Sequence, residues 1–322
     1  MNGVNISYKS IKKFITEPDK FFKLKRVLYQ VQRNKISENR NPKCEHSPIK
    51  IRIETTNTCN LRCTSCPLNW KTYTREKKIM SEELFTKIID EVKKFSPKPD
   101  IILYMGGEPL TNPKLIKYIQ IVKRAGLYCA FNTNATLLNE EYSKKILSSG
   151  LDLIEFSFDD VTKEEYESMR INSNYEKTLN NILSFLELKK NLKQLSPRVI
   201  ITGVKLKENN LVNTCEEVVP SEDFKNMFKD YPVTITHYYA HNWGQGENSS
   251  NTVCTVMNTD LCILSSGLCV PCCYDLNGDF VMGDINNSTL LEVWNSEKYI
   301  DFRTKMFTGR RQEIEICRKC PM

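Results

Sequence analysis

Apolar residues recur along the chain in two rhythms. Phe21, Leu24, Leu28 and Val31 fall at spacings of three, four and three, the single stripe of an amphipathic helix. Thr16-Glu17-Pro18 stands ahead of them as a cap followed by an early-turn proline. This predicts a basic, helical lead over residues 1–48, packed on the outside of the main domain. From Pro48 to about Asn242, short runs rich in β-branched and aromatic residues alternate with longer amphipathic ones. Strands are predicted at Ile49–Glu54, Asp100–Met105, Tyr128–Thr133, Leu153–Phe158, Val199–Lys205 and Val233–Tyr239. Helices are predicted near 81–95, 113–125, 139–149, 174–193 and 208–229, with Ser81 before two glutamates and Asn112-Pro113 as helix starts. Strands alternating with helices in this way predict a parallel sheet with right-handed crossovers. In such sheets chemistry gathers at the carboxyl ends of the strands.

The polar stretch Asn242–Asn251 (NWGQGENSSN) breaks the rhythm and is the predicted boundary between a core at 49–242 and an extension at 243–322. Within the extension, Leu268–Tyr274 reads as a strand, Asp275–Asp279 as a glycine-containing turn, and Phe280–Met282 as the returning strand. A helix is predicted from about Thr289 to Phe307. No stretch approaches the ~18 uninterrupted apolar residues of a membrane span. The first residues carry lysines without the apolar run of a secretory signal. A cytoplasmic chain is therefore expected. Lysine and arginine number 46 against 39 acidic residues, a net charge of +7. The basic residues are interspersed with acidic ones rather than gathered in a stripe, which argues against a nucleic-acid partner.

Cysteine changes the picture most. There are 13 in 322 residues, and most of them are grouped: Cys59, Cys63 and Cys66, then Cys254, Cys262, Cys269, Cys272 and Cys273, then Cys317 and Cys320. Cys44, Cys129 and Cys215 stand alone and read as buried thiols. In a reducing compartment grouped cysteines point to metal binding or catalysis rather than to disulfides. Cys59-Asn-Leu-Arg-Cys63-Thr-Ser-Cys66 follows the first predicted strand directly, so one loop can wrap one compact metal centre. Three thiolates leave a position open, on a tetrahedral zinc or on one iron of a cubane. The second strand ends in Met105-Gly106-Gly107-Glu108-Pro109. Two glycines let the backbone approach a ligand closely, and Glu108 can accept from an ammonium group. Taken alone, the same residues also read as a tight strand-to-helix turn.

Together the Cys-x3-Cys-x2-Cys loop and the Gly-Gly-Glu-Pro turn resemble the radical S-adenosylmethionine (SAM) superfamily. The resemblance implies a [4Fe–4S] cluster on Cys59, Cys63 and Cys66, with SAM bound to the unique iron through its amino and carboxylate groups. It implies that Gly106, Gly107 and Glu108 receive the SAM amino end. Thr133-Asn134, Ser157 with Asp159, and Arg170 are similar to residues that touch the SAM ribose or carboxylate in relatives. Ser65 departs from the pattern, because an aromatic residue that stacks near adenine often precedes the third cysteine. In the extension, Cys254-x12-Gly267-x4-Cys272 with Cys317-x2-Cys320 resembles the auxiliary-cluster domain called SPASM, or its shorter form, twitch. A full SPASM domain continues into a longer cysteine run, whereas this sequence reaches Pro321-Met322. One auxiliary [4Fe–4S] cluster on Cys254, Cys272, Cys317 and Cys320 is therefore expected, with Cys262 and Cys269 as competing ligands. Four thiolates close such a site and suit it to carrying an electron.

The expected architecture is α/β, a (β/α)6 partial TIM barrel with a small twitch- or SPASM-like extension. The expected enzyme holds two [4Fe–4S] clusters and SAM. It is supplied with electrons by a flavodoxin or ferredoxin and takes a hydrogen atom from an unactivated carbon of a peptide or sugar-like substrate. Oxidation or crosslinking, with the auxiliary cluster as electron acceptor, is the leading outcome. Epimerisation with Cys273 as hydrogen-atom donor is the alternative, and a non-catalytic zinc module the remote one. Tyr239, His241 and Trp243, near the end of the last predicted strand, either line the substrate pocket or pack structurally.

Overall fold

The computed structural model describes residues 31, 35, 38, 40–208, 210–212, 216–243 and 253–320. Phe21, Leu24 and Leu28 of the expected helical stripe, Cys215 and most of the polar boundary segment lie outside the described residues. From Asn41 onward the chain forms one compact unit.

In chain order its strands are β1 (Lys50–Ile53), β2 (Asp100–Ile102), β3 (Cys129–Thr133), β4 (Leu153–Ser157), β5 (Arg198–Lys205), β6 (Glu217–Val218), β7 (Val233–Tyr239), β8 (Asp260–Ile263), β9 (Leu268–Val270) and β10 (Gly283–Asp284). The helices are α1 (Glu82–Val92), α2 (Leu115–Arg124), α3 (Glu140–Ser148), α4 (Lys163–Met169), α5 (Tyr175–Asn191), α6 (Glu222–Met227), α7 (Val256–Thr259), α8 (Leu290–Trp294), α9 (Glu297–Phe307) and α10 (Glu315–Arg318). All these strands share one sheet in the order β10-β9-β8-β1-β2-β3-β4-β5-β7-β6. From β8 to β7 along that order every pairing is parallel, and antiparallel strands stand at both ends. The sheet does not close, which makes this a partial barrel.

Strand side chains alternate between faces, and the alternation divides the barrel in two. Ile51, Ile53, Ile101, Leu103, Phe131, Ile154, Phe156 and Ile201 are all but fully buried in the layer beneath the helices. Residues between them, Arg52, Glu54, Tyr104, Asn132, Glu155 and Ser157, face the interior. Helices α1, α3, α4, α5 and α6 begin where the sequence supplies an acceptor. There Ser81, Asn139, Thr162, Asn174 and Ser221 each accept a backbone N–H from three residues on.

Several features differ from the sequence reading. The helix expected over 208–229 shrinks to α6, because Val218-Val219-Pro220 is extended and proline disfavours helix in the residue before it. Helix α4 has no counterpart among the expected elements, although Thr162 and Glu165 form a reciprocal capping box. The helix expected from Thr289 to Phe307 is broken in two. At the break, Asn295 accepts from the Cys44 N–H at 2.9 Å and donates to the Cys44 carbonyl at 3.1 Å, and Ser296 caps the second piece. Finally, β8 is an addition to the expected strands. It pairs residue for residue with β1, from Lys50↔Asp260 to Ile53↔Ile263, so a strand from beyond the polar boundary continues the core sheet.

Residues 41–48, expected to be helical, instead run irregularly against the extension. Trp294 Nε1 donates to the His46 carbonyl at 3.0 Å, and Arg303 Nη1 to the Pro42 carbonyl at 3.1 Å. The Arg303 guanidinium is fully buried, 4.2 Å from the Trp294 ring centroid and 4.9 Å from that of Tyr299. No helix among the described residues is long and apolar enough to cross a membrane.

One glycine on β5 tests this packing. A Cβ at Gly203 would stand 2.1 Å from Nε2 of the buried His237, which accepts the Asp160 N–H at 3.2 Å. Gly203→Ala should displace the imidazole and lower stability by about 1–3 kcal/mol, read as a fall in the urea midpoint. His237→Ala in the same chain should restore part of the loss. An unchanged midpoint in the single variant would show that both His237 and the Phe158 carbonyl, 2.7 Å from the added Cβ, have room to move.

Candidate active site

The loop that follows β1 is pinned before it reaches its first cysteine. Glu54, 1% exposed, receives both terminal nitrogens of Arg75, at 2.5 and 2.9 Å, and the N–H and hydroxyl of Ser265 at 2.9 and 2.7 Å. Buried Asn57 donates to the Tyr73 hydroxyl and the Glu76 carbonyl and accepts the Lys78 N–H. Farther along, the N–H groups of Arg62 and Thr64 donate to the carbonyls of Ile171 and Met169 at the end of α4. Every one of these ties is long-range in sequence, so the shape of the cysteine loop is set by its neighbours.

The Gly-Gly-Glu-Pro turn locks against the same loop. Gly107 has φ of +74°, and a Cβ there would stand 2.4 Å from the Thr56 carbonyl oxygen, so only glycine fits. Glu108 N–H then donates to the Thr58 carbonyl at 2.7 Å. The Glu108 carboxylate is buried and bridges two strand ends. Its Oε1 accepts from Leu110 N–H at 2.9 Å and Thr133 Oγ1 at 2.7 Å, and its Oε2 from Asn134 N–H at 2.7 Å. A carboxylate oxygen offers two acceptor sites, so Oε2 retains one. Burial pushes the Glu108 carboxyl up to about 7 even against those three donors. A cationic ligand would relieve that cost.

Cys59, Cys63, Cys66 and Glu108 line a cavity of about 200 Å³ at the carboxyl ends of the parallel strands. Asn134, Ser157 and Gly107 border the same cavity, as do Asp159 and Arg170. Arg170 is not a free guanidinium for a ligand carboxylate: it grips the fully buried Asp159 at 2.5 and 2.7 Å. Asp159 also accepts the Val204 N–H. Ser157 donates to Asn132 Oδ1 at 2.8 Å, and Asn134 Nδ2 to Asn60 Oδ1 at 3.1 Å. Gly106 lies outside the lining, where its missing Cβ makes room for Glu54 and Leu276. Ser65, His241 and Trp243 line the cavity, whereas Tyr239 does not and lies under Lys207.

Cys254, Cys272, Cys317 and Cys320 line a second, smaller cavity with Tyr274 and Arg311. Cys262 and Cys269 do not line it. They are fully buried on the paired strands β8 and β9. Cys273 lines neither cavity; it packs against an apolar cluster that includes Met105, Cys262 and Leu276. Between the two cavities His241, Trp243 and Tyr274 form a continuous ring contact, with centroids 4.6 Å apart for His241–Trp243 and 5.2 Å for each pair with Tyr274.

The donor chemistry of each site favours a strongly cationic occupant. Burial raises Cys59 to about 12 and Cys66 to about 11, and raises Cys63 against the pull of Arg170. It likewise raises Cys272, and Cys317 to about 12. Thiols so desolvated become thiolates only beside such a centre. Among the described residues, no three His, Cys, Asp or Glu side chains converge on a single ion.

Tyr104, Asn132, Met169 and Tyr274 join these cavities without having stood out in the sequence. Tyr104 and Asn132 carried a usable signal: each sits one step out of phase with buried strand residues, on the face that Ser157 shares.

Comparison with known proteins agrees with this geometry. Residues 53–214 match the model of the radical SAM superfamily, and residues 254–321 match SPASM, an iron–sulfur cluster-binding domain. The tungsten-containing aldehyde ferredoxin oxidoreductase cofactor-modifying protein of Pyrococcus furiosus is 25% identical over 314 residues, covering 84% of this chain and 86% of that protein. Further curated relatives are matched over 29% to 55% of their own length. Among solved structures, BtrN in complex with AdoMet and 2-DOIA superposes with a TM-score of 0.58 at 17% identity, over 86% of this chain and 94% of that one. SuiB of Streptococcus suis bound to precursor peptide SuiA gives 0.58 at 14% identity, over 94% and 73%. These two likenesses show the fold. With its superfamily match spanning half its length, the chain belongs to the radical SAM superfamily, carries a SPASM domain, and takes SAM and iron–sulfur clusters as its cofactors.

Proposed function

We propose that this enzyme takes a hydrogen atom from an unactivated carbon of a peptide or sugar-like substrate and oxidises the resulting radical, by way of a [4Fe–4S] cluster in each cysteine-lined cavity. The observation that carries this reading is the pair of cavities itself, one with three cysteines and one with four, joined by the His241–Trp243–Tyr274 contact. When bound, the first cluster and SAM supply a 5′-deoxyadenosyl radical and the second cluster a one-electron acceptor.

The chain's own residues divide the remaining work. Cys59, Cys63 and Cys66 would hold the first cluster and leave one position on it open for SAM. Glu108 Oε2, which keeps one acceptor site, would receive the SAM ammonium, and the Gly107 turn would let the ligand approach the backbone. Asn134 and Ser157 offer polar contacts to the sugar, while the Asp159–Arg170 pair shapes the cavity's edge. Cys254, Cys272, Cys317 and Cys320 close the second site, and the buried surroundings exclude water. The extension from Trp243 onward then acts as the electron-accepting domain. Oxidation is favoured over epimerisation because Cys273, the candidate hydrogen donor, packs in an apolar cluster and lines neither cavity. A flavodoxin or ferredoxin would supply the first electron. The BtrN and SuiB complexes, which carry 2-DOIA and a precursor peptide, support a sugar-like or peptide substrate.

Three measurements test these roles. Replacing Cys59, Cys63 and Cys66 together with Ala should leave about four irons per chain, against about eight in the wild type, and abolish 5′-deoxyadenosine formation. Continued formation of that product would refute the assignment of the first site.

Glu108→Gln should weaken SAM binding by about one to two orders of magnitude. It should also lower stability, because an amide cannot accept from all three donors. In the wild type, SAM affinity should weaken about tenfold from pH 8 to pH 6, since protonation of a carboxyl near 7 competes with the cation. An isothermal titration showing wild-type affinity in Glu108→Gln would leave Glu108 a purely structural cap.

The Cys317→Ala/Cys320→Ala variant is expected to keep about four irons and dithionite-driven 5′-deoxyadenosine formation while losing one of two cluster signals in electron paramagnetic resonance. Product two mass units lighter than substrate should disappear with it. Normal product yield without the second cluster would reduce the extension to a clamp.

A further inference from the structure

Two arginines in succession, Arg310 and Arg311, part company just before the last pair of cysteines. Arg310 stands at the surface, 3.6 Å from the Glu313 carboxylate. Arg311 opens a single 3-10 turn, Arg311–Glu313, and is turned inward, only 2% exposed. There it lines the second cavity beside Cys254, Cys272, Cys317 and Cys320. Its Nε donates to the Cys317 carbonyl at 3.2 Å and its Nη2 to the Cys320 carbonyl at 3.3 Å. The guanidinium is thus anchored to the backbone of two of the residues whose thiols face the cavity. Its charge reaches the Cys317 sulfur, as do the charges of Cys254 and Cys320.

The two cavities differ in the charge of their walls. Among the described residues that line the second, Arg311 is the only charged side chain apart from the cysteines. Around the first, Glu108 and Asp159 stand against Arg170 alone. Arg303, buried in the same extension, lines neither cavity. A guanidinium does not lose its proton inside a protein, and burying it is costly unless negative charge meets it. A cubane on four thiolates is a net anion, and accepting an electron makes it more negative still. A fixed cation in its wall, shielded from water, therefore stabilises the reduced form more than the oxidised one.

We propose that Arg311 raises the reduction potential of the second cluster and so makes that cluster the electron acceptor of the reaction. The inference rests on the reading of the second cavity as an electron-accepting site. In that step the substrate radical gives one electron to the cluster and one proton to solvent, which leaves a product two hydrogens short of the substrate. Arg311 touches no substrate and acts through the charge of the cluster.

Anaerobic redox titrations of the cluster-loaded enzyme, followed by electron paramagnetic resonance, would read both midpoints. The signal of the second cluster is the one missing from Cys317→Ala/Cys320→Ala. Arg311→Gln should lower its midpoint by about 59 mV or more, a tenfold fall in the one-electron equilibrium constant. The midpoint of the first cluster should stay in place. Arg311→Lys, which keeps the charge, should keep most of the wild-type value. Should Arg311→Gln not hold the second cluster, Arg311→Met, which also lacks the charge, is read in its place. An unshifted midpoint in the neutral variant, or a fall in Arg311→Lys as large as in the neutral variant, would overturn the proposal. Loss of the second cluster from both neutral variants would make Arg311 an anchor for assembly instead, and would overturn it as well. Oxidised product with no shift in midpoint refutes this inference alone. A midpoint that shifts with Arg311 in enzyme that yields no lighter product refutes the proposed oxidation alone.

Discussion

The buried pair between Glu54 and Arg75 is the joint on which the rest of the molecule turns. Glu54 sits just past the end of β1, where the cysteine loop departs, and Arg75 on the segment that returns from it. The same carboxylate takes two donors from Ser265, just beyond β8, and the same guanidinium donates to the Leu276 carbonyl at 2.8 Å. One ion pair therefore joins the loop with three thiols, the turn between β8 and β9, and the turn of the extension. Removing one partner of such a buried pair typically costs about 3–5 kcal/mol, because the other charge is left without compensation.

The site is assembled largely from groups that dislike their surroundings until a cofactor arrives. Desolvated thiols, a carboxyl at about 7 and an acceptor site without a donor are all poorly solvated by the protein alone. Iron and an ammonium ion are the complementary charges. Binding and folding are consequently coupled, since what the cofactors gain in affinity is the cost the chain bears without them. The matched pairs Asp159–Arg170 and Asp260–Arg52 have the opposite character. They are complete without any ligand and keep the chamber's shape fixed while the unmatched groups await theirs.

Much of this is legible in the sequence, for reasons specific to each residue. Alternation of strand and helix comes through because each β-strand buries one face on helices, which leaves a clean rhythm at Ile51–Ile53 or Ile154–Phe156. Cysteine spacing and the glycine turn are readable because a short loop carries its ligands in sequence order. Strand β8 is not, because Asp260–Ile263 is a fully buried run without period and its partner lies far away along the chain. Arg170 reads as a ligand contact because no local pattern reveals that Asp159 already holds it. Choosing Cys254 over Cys262 for the second cavity follows from a motif. That Cys262 lies buried on a strand of the main sheet is a fact of tertiary structure.

The pairing of β8 with β1 also governs the order in which this chain can be made. A ribosome delivers β1 and its three cysteines early, but the strand that covers the far edge of β1 emerges only after residue 263. Until then one side of β1 stands as an open edge, with backbone groups available to any passing strand. Contacts of such long sequence separation form slowly, and partly folded chains with open edges are prone to aggregate. A cell that overproduces this enzyme would therefore gain soluble protein from slower synthesis, or from a chaperone that shields edges until the strand beside β1 has been made.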